Sequence, residues 1–216
     1  MGRAGQRTAE LAGRARAQLL APLLGQLETV RTATALSAAV VDGTRPPERA
    51  RRTMQELRGR SDRHRSELSE LLHRALSAPI DREDLYRLSR ALDDVLGNLG
   101  DFIREVSLFT VGDLSGCAGL FGPLDTAVGE LRRGVELLAS GRHTAVAAAE
   151  AAQRARGASE TLREAYERAL CDLLNAEHLD PELLKRRELL RRLDVVGLRI
   201  ASAANILADG CIKRGP

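Results

Sequence analysis

The chain has 216 residues, of which 44% are hydrophobic but only 2% aromatic, and it contains no Trp. That length allows one large domain or two small ones. A mixture of Leu, Ala and Val with Arg, Glu and Asp suits helices and disfavours strands. The net charge is +3, and the signs are interleaved along the chain, which excludes a long single-sign tail of the kind that binds nucleic acid.

Apolar residues recur at helical spacing almost throughout. A first helix is expected over Thr8 to Val41, bent or interrupted at Pro22 and ended by the breaker Asp42-Gly-Thr-Arg-Pro-Pro47. A second runs from Pro47 to Ser77, with proline suited to its first turn. A third follows Ala78-Pro79, with Asp81 as N-cap and Glu83 and Asp84 near the positive end of the helix dipole. Its seam is Leu85, Leu88, Leu92, Val95, Leu99, Phe102 and Val106, and it ends near Thr110 to Asp113.

Ser115 to Pro123 reads as a Gly-rich connection with room for a turn of its own. A fourth helix covers Leu124 to Ala139 and a fifth Thr144 to Asn175. The sixth starts at Asp180-Pro181-Glu182, a cap followed by proline, with a seam of Leu183, Leu190, Leu193, Gly197, Ile200, Ala204 and Leu207. The tail from Lys213 to Pro216 is expected to fray.

Each half therefore reads as helix, breaker, long helix, short acidic turn, long helix. LLHRALSAPIDREDLYRLSRALDDV is echoed by ALCDLLNAEHLDPELLKRRELLRRLDVV, which points to an internal duplication. The fold class expected is all-α, two tandem three-helix bundles, with residues 1–114 and 115–216 as the repeats. The early apolar run Leu19 to Leu24 is short and holds Pro22, so no signal peptide is expected. No apolar run is expected to approach the roughly 20 residues that span a bilayer. Three scattered cysteines, Cys117, Cys171 and Cys211, suit a reducing compartment.

Two elements are similar to a known family. Pro79-Ile-Asp-Arg-Glu-Asp84 followed by Leu92-Asp-Asp-Val95 resembles the PhoU-like accessory proteins of Pit-type phosphate transporters. Arg191 to Leu207, RRLDVVGLRIASAANIL, and Phe102 to Leu114 resemble the same family's last helix and mid-chain helix end, and the resemblance spans about Thr29 to Ile212. It implies a non-enzymatic regulator of inorganic phosphate transport acting through protein–protein contacts at the cytoplasmic face. It also implies acidic motifs on the two long helices of each repeat, a carboxylate four residues from an Asp, that hold iron or a similar metal.

Carried over by that resemblance, the motif positions are Arg58 and Asp62 on the second helix, Asp93 and Gly97 on the third, Arg156 and Glu160 on the fifth, and Asp194 and Leu198 on the sixth. Each pair keeps one carboxylate and loses the other. Asp93-Asp94 then reads as the relic of a ligand set. No metal is expected; iron or zinc would need a more complete donor set. Three readings stand open: a guanidinium cluster of Arg58 with Asp62 and Asp93 and of Arg156 with Glu160 and Asp194, ordinary solvated pairs, or a surviving metal site.

The remaining motifs favour bland readings. His64, His73, His143 and His178 lack ligand spacing, and Glu70-Leu-Leu-His73 has no second copy of the kind a di-iron bundle needs. Cys171 is expected in the core and Cys117 exposed in the connector. No nucleophile or phosphate-binding motif can be placed, and the helix starts Asp81 and Asp180 carry acid that would repel phosphate. With almost no aromatics to stack on bases, nucleic-acid binding is not expected. The expected partner is a Pit-type transporter or related membrane protein, with self-association through long helix faces. The alternative is a helical scaffold or metal-binding protein unrelated to phosphate.

Overall fold

The computed structural model describes residues 3–75, 78–141, 144–175 and 180–213, with only the backbone course for residues 3–12. Ser77, His143 and His178 lie outside the described residues. Six long helices and one short one appear in chain order: α1 (Arg3–Val41), α2 (Pro47–Arg74), α3 (Arg82–Phe109), α4 (Ser115–Ala118), α5 (Phe121–Ser140), α6 (Ala145–Leu174) and α7 (Pro181–Ile212). No strand occurs among the described residues.

Local chemistry sets the boundaries. At the first breaker, Gly43 takes φ 76°, and the Asp42 carboxylate accepts the Thr44 N–H at 2.9 Å. Pro47 opens α2 where its missing N–H costs nothing. Asp180 caps α7 by accepting the Leu183 N–H at 2.7 Å. Asp81 occupies the N-cap position of α3, yet its side chain makes no capping bond. Thr110 ends α3 in the left-handed region at φ 53°.

The expected interruption at Pro22 does not occur: α1 runs on through it. Proline removes one helix hydrogen bond and crowds the carbonyl four residues back, here that of exposed Gln18, which water can serve.

The helices form two three-helix bundles in tandem. α1, α2 and α3 pack together, as do α5, α6 and α7, and the bundles meet where α3 lies on α7 and α1 on α5. Every predicted seam residue of α3 and of α7 is buried. Phe102 meets Phe121 edge-on at 6.0 Å where the first bundle passes into the second. Against the expectation that no apolar run would be that long, α7 is by length and composition long and apolar enough to cross a membrane, with an 18-residue window of mean hydropathy 1.5. Half of that window is buried inside the bundle, as suits a core helix.

The α3–α7 seam is antiparallel and complementary in charge, with acids on α3 and bases on α7. Lys213 donates to both oxygens of Asp84, at 3.2 and 2.9 Å, and Asp84 is only 2% exposed. Midway, Arg199 stands 3.9 Å from Asp94. At the other end Arg192 grips Glu105 with two bonds, at 3.2 and 2.5 Å. Hydrogen bonding to Glu105 holds the Arg192 guanidinium even more firmly protonated than usual. Lys213 thus belongs to the fold, not to a frayed tail. The α1–α5 side is held by Arg132 with Glu28 and by Arg31 with Asp125 at 3.6 Å.

Candidate functional site

The nine motif positions fall into two clefts, one per bundle. Arg58, Asp62, Asp93, Asp94 and Gly97 line a cleft of about 340 Å³ between α2 and α3, together with Asn98 and Asp101. Arg156, Glu160, Asp194 and Leu198 line one of about 320 Å³ between α6 and α7. Arg199 of α7 reaching Asp94 of α3 places both clefts beside the inter-bundle seam.

The charge pairing inside them differs from expectation. Arg58 does not bridge Asp62 and Asp93; it donates Nη2 to the Gly97 carbonyl at 2.9 Å. Its guanidinium lies flat on a glycine notch, where a Cβ on Gly100 would come within 3.0 Å of it. The group joining the two carboxylates is Arg65, with Nη1 2.8 Å from Asp93 and Nη2 2.8 Å from Asp62. In the second cleft Arg156 pairs only with Glu160 of its own helix, at 3.4 Å. There Arg163 reaches across the helices, donating Nη1 to both Asp194 oxygens at 3.1 Å and Nε to Glu167 at 3.0 Å. Its face stacks on Tyr166 at 5.6 Å. The bond to Glu167 and the charge of Asp194 hold Arg163 above its usual pKa.

Antiparallel register explains the shift. Because α2 and α3 run antiparallel, going forward along α2 from Arg58 to Arg65 goes back along α3 from Gly97 to Asp93, and it is Arg65 that meets the carboxylate. A signal for this is in the chain: residues 58–65 and 156–163 both read R-G-x-S-(D or E)-x-x-R. The facing helices both carry R-x-L-D-x-V, at 90–95 and 191–196. Position-by-position transfer of an acidic motif hides the arginine that ends the first pattern.

These residues do not fit the oxygen-ligated metal that the resemblance implies. Such an ion needs several carboxylates turned on one point. Here Asp62 and Asp93 share one guanidinium, and Asp194 is held by another. Among the described residues no group of three or more His, Cys, Asp or Glu side chains converges.

Other candidates fall elsewhere. His73 Nδ1 lies 2.7 Å from the Ser69 carbonyl on its own helix, and Glu70 pairs with Arg74. His64 packs over Gly25, where a Cβ would come within 2.6 Å of its ring. The cysteines reverse the expectation: Cys171 is exposed, while Cys117 is buried with its thiol pushed up to about 12 by desolvation. The short α4 folds Cys117 inward beneath the connector. A cavity of about 460 Å³ lies there between α4, α6 and α7. Asp113 beside it accepts the Ser115 N–H, which lowers its pKa, and stands 3.4 Å from Arg186.

The architecture has solved counterparts. A PhoU-like protein from Shewanella oneidensis MR-1 superposes with TM-score 0.74 at 16% identity, over 90% of this chain and 99% of that one. A candidate PhoU-like phosphate regulatory protein from the same organism gives 0.71 at 15% identity, over 90% and 99%. PhoU from Pseudomonas aeruginosa gives 0.55 at 15% identity, over 91% and 96%. At this identity the likeness establishes the fold: an all-α, PhoU-like pair of three-helix bundles. No protein-family model matches the sequence, and no curated protein matches it significantly.

Proposed function

We propose that the protein is a regulator of inorganic phosphate transport that works by docking on a partner and not by catalysis. The observation that carries this reading is the PhoU-like fold, shared over 90% of the chain with a solved neighbour described as a candidate phosphate regulatory protein. Residues 1–114 and 115–216 act as its two repeats. The partner is a Pit-type transporter or related membrane protein, met at the cytoplasmic face. The surface offered is the outer side of the α3–α7 seam with the flanking helices α2 and α6. A regulatory role is supported by the state of the clefts, where carboxylates that could serve as acid, base or ligand are engaged by guanidinium groups.

Phosphate uptake in a strain lacking the gene, together with co-purification of the tagged protein with membrane transporters, tests the reading. The expected result is an altered uptake rate and a phosphate transporter in the eluate. Unchanged uptake with no transporter recovered contradicts it.

A further inference from the structure

Each of the two clefts sets an arginine from one helix against an aspartate from the next. Arg65 and Arg163 occupy the same place in the repeated pattern, and so do their partners Asp93 and Asp194. We propose that these guanidinium groups stand in for bound metal ions, so that the protein carries its inter-helix cations covalently and keeps its fold and docking face without metal. The proposal does not depend on the phosphate reading.

Three observations support it. First, the geometry is that of a cation held by several oxygens: the Arg65 fork spans Asp62 and Asp93 at 2.8 Å on each side, and Arg163 spans Asp194 and Glu167. A planar guanidinium meets two carboxylates at once, which an ammonium does less well.

Second, the other acids of the first cleft are opposed as well. Asp94 lies 3.9 Å from Arg199, and Asp101 lies 3.4 Å from Arg104. A divalent ion would have to displace these partners and then sit beside them. In the second cleft Glu160 faces Arg156, while Leu198 and Ala201 bring no donor.

Third, the cross-helix pairs are not loose surface contacts. The Asp194 side chain is 12% exposed and that of Asp93 33%, against 49% for Arg163 and 34% for Arg65, so the ties are partly buried, most at the carboxylates. Arginine stays charged across the whole physiological range, so such a tie does not respond to metal supply.

The test uses the full chain, expressed with Mn²⁺, Fe²⁺ and Zn²⁺ in the medium, with metal content and Tm measured with and without EDTA. The variants are Arg65→Gln and Arg163→Gln, singly and together, with Arg65→Lys as a milder change. The wild-type protein is expected to hold far less than one metal per cleft and to keep its Tm in EDTA or MnCl₂. Each Gln variant is expected to lose about 2–4 °C, and in Arg65→Gln added Mn²⁺ restores part of that loss through the freed Asp62 and Asp93. Arg65→Lys keeps the indifference to Mn²⁺ with a smaller loss. Near-stoichiometric metal in the wild type, or a Tm that falls in EDTA, overturns the proposal. So do Gln variants that keep the wild-type Tm and ignore Mn²⁺.

Discussion

The first cleft is polar, with four aspartates around Arg58, whereas the second is largely apolar, with Leu162, Leu198 and Ala201 around one buried aspartate. The cross-helix arginine–aspartate tie is present in both, while the α3 and α7 residues beside it differ, Gly97, Asn98 and Asp101 against Leu198, Ala201 and Asn205. The repeated pattern thus keeps the cross-helix tie while the exposed residues beside it differ. Leu198, 55% exposed, stands where the first half has Gly97. The surface is acidic beside one half of the seam and hydrocarbon beside the other.

A second pair of matching positions differs in the same way. Leu162 and His64 hold the same place in the repeated pattern. Leu162 is 1% exposed, while the His64 side chain is 34% exposed. Leu162→Ala is expected to cost about 2–4 kcal/mol by cavity formation, and His64→Ala about 1 kcal/mol or less, both read by urea unfolding. Equal costs would break the distinction.

Glycines sharpen it further. A Cβ on Gly197 would meet Leu162 Cδ2 at 2.7 Å, whereas on Gly97 the nearest atom is Arg58 Nη2 at 3.9 Å. Gly197→Ala is expected to destabilise by about 1–2 kcal/mol, because overpacking exceeds the gain in helix propensity. Gly97→Ala is expected to be neutral or stabilising by up to about 1 kcal/mol, again from denaturant midpoints.

The three thiols, in α4, α6 and α7, separate by burial. Before denaturation a thiol reagent is expected to label Cys171 rapidly and to leave Cys117 and Cys211 nearly unlabelled. Burial raises the Cys117 thiol from 9.0 to about 12 and Cys211 to about 11. Above pH 9 the unfolded chain sheds protons that the folded chain retains. Stability therefore falls as pH rises from 9 toward 12, by up to about 1.4 kcal/mol per pH unit for each thiol. Cys117→Ala is expected to flatten that slope.

Much of the fold was legible because the signals were local. Apolar spacing marked the seams of α3 and α7, and proline next to a cap or a turn marked where α2 and α7 begin. The sites were less legible because they depend on register between helices. Which arginine faces Asp93 follows from the antiparallel packing of α2 on α3, and within α2 only the repeated pattern ending in Arg65 hints at it. Lys213 looked like tail until the end of α7 met buried Asp84. The cysteine places were exchanged because a four-residue helix turns Cys117 inward, and Gly-rich composition does not announce that.

The most direct test of the duplicated tie is a pair of double-mutant cycles, Arg65→Gln with Asp93→Asn and Arg163→Gln with Asp194→Asn, measured by urea unfolding. Coupling of about 0.5–1.5 kcal/mol in both cycles, larger for the more buried Asp194, is the predicted result. Coupling indistinguishable from zero in both would contradict the account.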